Sequence, residues 1–147
     1  MKHLLGLIAL IIFIAGVNVV LSAQEPQQGG RPLVITMTGT AEVPGPGDPD
    51  GTGTATITLN PGKGEVCYEL QVDKIGEANA AHIHSGAVDK AGPPVLTLKA
   101  PAKGPSKECA TLERDKILDI LKNPAMYYVN VHNAEFPDGA VRGQLGK

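Results

Sequence analysis

Apolar and polar residues alternate along several short stretches of this chain, which is the pattern expected of half-buried β-strands. The alternation is clear over residues 54–59 and again over residues 65–72, where every second side chain is apolar. The segment Asn60-Pro61-Gly62 lies between these stretches and is composed of turn-forming residues. The pattern therefore predicts a β-hairpin.

Similar stretches predict further strands at residues 33–42, 78–84, 95–98, 107–111, 126–132 and 140–145. A different period occurs over residues 112–122, where Ile117, Leu118 and Leu121 recur at helical spacing before Asn123-Pro124 ends the pattern. Short strands separated by Pro- and Gly-rich turns are typical of all-β domains. The sequence therefore predicts an all-β sandwich or barrel with one short helix.

The N-terminal residues follow another pattern. A short basic start, Met1-Lys2-His3, precedes an apolar run over residues 4–17, and small residues precede the polar Gln24. This order is typical of a secretory signal peptide, so we expect residues 1–23 to be removed, with an uncleaved membrane anchor as the alternative. Residues 24–32 then form a Gln-, Gly- and Pro-rich flexible lead-in, and residues 33–147 form one domain.

Composition narrows the classes of function. The net charge is −2 and the chain has no cluster of Lys and Arg, which argues against nucleic acid as a partner. Three Tyr and no Trp argue against a flat aromatic platform for sugars or bases. We expect no stable membrane insertion after removal of the signal peptide, and the sequence identifies no protein partner.

The chain has two cysteines, Cys67 and Cys109. In an exported protein an even count favours a disulfide bond. A pair of metal thiolates is the alternative, although neither cysteine has another cysteine or a histidine close to it in sequence.

Three histidines in the predicted domain carry the candidate chemistry. His82 and His84 are two residues apart at the end of a predicted strand, and His132 ends a later one. Because side chains alternate along a strand, His82 and His84 share a face, and Asn130 shares a face with His132. If the two strands are neighbours, all three imidazoles can reach one metal ion.

The last predicted strand places Arg142 and Gln144 on one face. Together with Asn130 they would surround the imidazoles and orient them or an incoming anion. Three imidazoles without a carboxylate or thiolate suit copper or zinc. The alternative is a hydrogen-bonded network of structural histidines under a loop, without a metal.

Five motifs, in order along most of the predicted domain, resemble the CHRD domain family, named after chordin. They are Ala41-Glu42-Val43-Pro44, Ala81-His82-Ile83-His84-Ser85-Gly86, Gly92-Pro93-Pro94-Val95, Tyr128-Val129-Asn130-Val131-His132 and Gly139-Ala140-Val141-Arg142-Gly143-Gln144-Leu145. The resemblance implies an immunoglobulin-like Greek-key β-sandwich or barrel that is secreted or periplasmic. It implies no particular activity.

The chain is also similar, more weakly, to copper/zinc superoxide dismutases, which set a His-x-His pair and a later strand histidine on a Greek-key barrel. It lacks their histidine-rich zinc loop. The similarity implies a three-histidine site that takes copper in preference to zinc.

Two hypotheses of function follow. The first is an exported CHRD-domain protein that binds a transition metal through His82, His84 and His132. The second is a non-catalytic structural or interaction module of the cell envelope or matrix, in which the same histidines are structural. Whether the protein is an enzyme stays open, and a redox enzyme that uses the copper is one form of the first hypothesis.

Overall fold

The computed structural model describes residues 30–146, within which the chain forms eight β-strands. They are β1 (Leu33–Thr38), β2 (Thr52–Asn60), β3 (Glu65–Asp73), β4 (Ala78–Ser85), β5 (Pro94–Leu98), β6 (Ser106–Thr111), β7 (Tyr127–Asn133) and β8 (Val141–Gln144). One α-helix, α1 (Arg114–Lys122), and two short 3-10 helices, Gly39–Ala41 and Pro124–Met126, complete the described secondary structure. The prediction of an all-β domain with one short helix is confirmed.

The strands form one antiparallel sheet in the order β5-β4-β7-β8-β1-β2-β3-β6. The predicted hairpin is β2–β3, paired from Thr52–Asp73 to Asn60–Glu65. The connections from β3 to β4 and from β5 to β6 pass between opposite ends of this order, which is the Greek-key arrangement.

Side chains bring the two edge strands of the sheet together. Ser106, at the start of β6, donates a hydrogen bond from its hydroxyl to the carbonyl oxygen of Lys99, just after β5, at 2.7 Å. The ammonium group of Lys99 also pairs with Glu108 of β6 at 2.6 Å. The sheet is therefore a nearly closed barrel.

The core fills the inside of this barrel with one face of each strand. Along β4 and β7 the buried apolar positions alternate with the polar positions that carry the histidines. The fully buried side chains of the core with less than 2% exposure include Met37, Ile57, Leu59, Leu70, Ile83, Val129, Val131 and Val141. The polar positions of β4 and β7 consequently lie on the outer face of the sheet.

The predicted first strand is too long, because β1 ends at Thr38 and a 3-10 turn follows at Gly39–Ala41. Gly39 lies so close to the next loop that a Cβ atom there would be 1.8 Å from the carbonyl oxygen of Asp48. This approach of two backbones requires glycine. The chain therefore leaves the sheet here, and Glu42 lies in a loop instead of a strand.

The predicted helical face is wrong in part. Helix α1 begins at Arg114 rather than at residue 112, because the backbone N–H of Leu112 still bonds to the carbonyl oxygen of Gly64. Ile117 and Ile120 are fully buried, whereas Leu118 is 38% and Leu121 is 43% exposed. The helix lies against the barrel along a narrow stripe, which reaches only these two isoleucines.

Cys67 and Cys109 lie opposite each other on β3 and β6 and form a disulfide bond. The disulfide prediction is confirmed, and the alternative of two metal thiolates is excluded in this oxidised state. The predicted signal peptide and residues 24–29 of the lead-in fall outside the described residues. Within residues 30–146, no helix has the length and apolar character needed to cross a membrane.

Candidate metal centre

The three predicted ligands meet on the outer face of β4 and β7. These strands pair antiparallel, with His82 opposite Asn130 and His132 opposite Ala80, so the imidazoles lie diagonally across the pair. The next strand continues the row, since Arg142 of β8 is opposite Asn130. The predicted juxtaposition of the two histidine strands is confirmed.

The ring nitrogens of the histidines converge. His82, His84 and His132 each offer one nitrogen, and the three atoms lie within 4.8 Å of one another. The shortest separation is 3.1 Å, between Nδ1 of His82 and Nε2 of His132. Two nitrogens bound to one ion at ~2.0–2.1 Å in tetrahedral geometry are about 3.4 Å apart. The cluster is therefore close to the size that one ion requires.

Backbone carbonyl groups fix the tautomers of two imidazoles. Nδ1 of His84 donates to the carbonyl oxygen of Gly92 at 2.8 Å, and Nδ1 of His132 donates to that of Pro137 at 3.0 Å. Each ring therefore presents an unprotonated Nε2 toward the cluster, and that of His132 lies 3.1 Å from Nδ1 of His82. A carbonyl partner on the second ring nitrogen is also the usual arrangement of metal-bound histidine.

The environment keeps the imidazoles neutral. Burial lowers the pKa of each histidine from 6.5. The neighbouring His132 and His84 lower the pKa of His82 further, and the charge of Arg142 lowers that of His84. A neutral imidazole is the form that binds metal.

The Nε2 atom of His84 is buried and has no hydrogen-bond partner. A buried polar atom without a partner costs roughly 1–3 kcal/mol. A metal ion among the three rings would satisfy this lone pair, so the residues present fit a bound ion.

The predicted surrounding residues differ in role. Asn130 contacts the cluster directly, with Oδ1 at 3.0 Å from Nε2 of His132.

Arg142 and Gln144 contact the β4–β5 loop rather than the imidazoles. Arg142 donates from Nη2 to the carbonyl oxygens of Ala87 and Lys90, at 2.8 and 3.0 Å. Gln144 donates from Nε2 to the carbonyl oxygen of Gly86 at 2.6 Å and to the carbonyl oxygen of Ala125. Arg142 and Gln144 therefore hold the β4–β5 loop, which carries Gly92, the partner of His84.

Tyr128 belongs to the site although sequence reasoning did not single it out. Its ring stacks on His84 with centroids 4.8 Å apart and planes 9° from parallel. The guanidinium carbon of Arg142 lies 3.4 Å from the centroid of the same ring. Tyr128 could have been found from the sequence, because it alternates with Asn130 and His132 along β7.

Glu42 is a second residue beside the site that the alternation of the strands does not place there. It is buried, and burial raises its pKa to about 7, although Arg142 and a hydrogen bond from the Asn130 side chain lower it. Gly139, with φ of 143°, makes room for it, since a Cβ there would be 2.3 Å from its Oε1. No periodic signal marks Glu42, because it lies in a loop.

The profile of the CHRD domain matches residues 33–145. No curated protein and no solved structure matches this chain significantly. The matched region contains all eight strands, the three histidines and the residues around them. The chain therefore belongs to the CHRD domain family.

Proposed function

We propose that this chain is an exported CHRD-domain protein that binds one transition-metal ion, copper in preference to zinc. The ligands are Nδ1 of His82, Nε2 of His84 and Nε2 of His132. The observation that carries the proposal is the buried, unpartnered Nε2 of His84 beside two converging ring nitrogens. Bound copper would supply a one-electron redox centre on the outer face of the barrel.

The preference for copper follows from the donor set. Neutral imidazole binds Cu(II) more tightly than Zn(II) in the general order of affinities for divalent ions. Within the described residues, the group of potential ligands contains the three histidines and no carboxylate or thiolate that would favour another metal.

Export is supported by independent features. The N-terminal residues have the order of a signal peptide, and Cys67 and Cys109 form a disulfide, which persists in an oxidising compartment. Together these features support a secreted or periplasmic location. Fractionation of cells that produce the full chain, with mass spectrometry of the mature N-terminus, tests this part of the proposal.

Metal binding is tested on protein produced without a histidine tag. Purified protein is stripped with chelator, titrated with Cu(II) and Zn(II) by calorimetry, and its copper-loaded form is examined by electron paramagnetic resonance. We expect a single equivalent of copper and hyperfine structure from nitrogen ligands. His84→Ala should abolish this binding, whereas Asn79→Ala, an exposed change on the same strand, should leave it intact.

The competing function is a structural or interaction module of the envelope or matrix. The observation that favours it is the 3.1 Å contact in which Nδ1 of His82 can donate to Nε2 of His132, because this hydrogen bond links the two imidazoles without an ion. In that case the wild-type protein takes up no copper or zinc. His84→Ala then lowers only the free energy of unfolding.

A further inference from the structure

Asn130 creates a conflict between two hydrogen-bond acceptors inside the histidine cluster. Because Nδ1 of His132 donates to Pro137, Nε2 of the same ring carries a lone pair. That lone pair lies 3.0 Å from Oδ1 of Asn130, which is also an acceptor. Asn130 is only 2% exposed, so water does not separate these atoms readily.

We propose that Oδ1 of Asn130 is the fourth ligand of the metal ion. This inference rests on the proposed function, since it concerns the same site. Two atoms bound to one ion at ~2.0–2.1 Å are at most about 4.2 Å apart, so Oδ1 and Nε2 of His132 can share an ion. A cation between them converts the conflict of acceptors into two coordination bonds.

The backbone positions Asn130 for this role better than any other polar residue at the site. On β7 it lies directly opposite His82 of β4 on one side and directly opposite Arg142 of β8 on the other. Nη2 of Arg142 and Nε2 of Gln144 donate to carbonyl groups of the β4–β5 loop, and a guanidinium group has no lone pair to offer an ion. Amide oxygens serve as weak ligands in other copper sites. The ligand set is then three imidazoles and one amide oxygen, all from β4 and β7.

The test compares Asn130→Ala and Asn130→Asp with the wild-type protein, each stripped of metal and then loaded with Cu(II). We expect Asn130→Ala to bind Cu(II) at least about tenfold more weakly and to shift the electron paramagnetic resonance parameters. Asn130→Asp keeps the shape and offers a carboxylate oxygen at the same place. It should therefore restore the affinity to the wild-type value or above, with a spectrum different from both.

A matched control separates ligation from a purely structural role. Asn133 is a buried asparagine on the same strand that accepts a hydrogen bond from the backbone N–H of Phe136 at 2.7 Å. Asn133→Ala should lower the free energy of unfolding but leave the copper spectrum unchanged. Circular dichroism of each metal-free variant establishes that it is folded, and if Asn130→Ala is unfolded, the spectrum of Asn130→Asp decides.

The outcomes distinguish the two proposals. If the wild-type protein binds no copper, the proposed function fails and the fourth ligand fails with it. If the wild-type protein binds copper through His84 but folded Asn130 variants keep the wild-type affinity and spectrum, only the fourth ligand is refuted.

Discussion

Replacing Glu42 by glutamine measures how much the ionised, buried Glu42 carboxylate lowers the free energy of unfolding. Glu42 is 7% exposed, and burial raises its pKa from 4.5 to about 7. Each pKa unit corresponds to about 1.36 kcal/mol. Ionising Glu42 in the folded protein therefore costs about 3 kcal/mol more than ionising it in the unfolded chain.

The sign of the pH dependence follows from the direction of the shift. An acid whose pKa is raised by folding binds its proton more tightly in the folded state. Its contribution to stability is fully present below pH 4.5 and is lost as the pH rises through about 7. Glu42→Gln removes the ionisation, so the variant should gain about 3 kcal/mol relative to wild type between these limits.

The assay is urea unfolding of both metal-free proteins, in the presence of chelator, from below pH 4.5 to above pH 7, the two limits of the Glu42 titration. The lowered pKa values of His82, His84 and His132 act in the opposite direction and destabilise both proteins as the pH falls. These effects largely cancel in the difference between wild type and variant. The difference therefore isolates Glu42.

A free-energy difference that stays constant across this pH range would refute the reasoning. So would a variant that loses stability relative to wild type as the pH rises. The first result would mean that the charge of Arg142 compensates fully for the burial of Glu42, and the second that it more than compensates.

Three further predictions test other parts of the fold. Reducing the disulfide between Cys67 and Cys109 should lower the free energy of unfolding by about 4 kcal/mol, measured in urea with and without reductant, because their separation is 42 residues. Ile120→Ala should cost about 2–5 kcal/mol, whereas Leu121→Ala should cost much less, because only Ile120 is buried; thermal unfolding of both variants checks this. Arg142→Lys keeps the charge but loses the planar guanidinium group whose Nη2 donates to two loop carbonyl groups, so it should cost about 1–3 kcal/mol in urea unfolding. Equal stability of wild type and Arg142→Lys would show that one ammonium group can hold the loop.

Alternation of apolar and polar residues was sufficient to predict most of the strands. Side chains on successive strand residues point to opposite faces, so a half-buried strand must show a period of two in its own sequence. The β2–β3 hairpin and the shared face of His82 and His84 follow from this local rule. The same rule placed Asn130 beside His132, since both lie on β7.

Residue periodicity did not predict which side of the helix is buried, because several of its sides carry apolar residues. Residues 112–122 contain apolar side chains around much of the helical circumference, and the sequence does not say which of them meets the barrel. Contact with the core selected Ile117 and Ile120 and left Leu118 and Leu121 partly exposed. Likewise, the close approach of Gly39 to Asp48 ended β1 where the sequence pattern continued.

The sequence by itself determined the strands, the histidine face and the cysteine pair, because each depends on residue type and on a short-range period. Only the tertiary structure decided that β4 pairs with β7, which brings His82 and His132 together across 50 residues of chain. It also decided that the carbonyl oxygens of Gly92 and Pro137 fix the tautomers of two imidazoles. It brought the carboxyl group of Glu42 against the side chain of Asn130 as well. These contacts join distant segments through backbone carbonyl groups and loops, whose positions depend on the whole barrel and leave no periodic trace in the sequence.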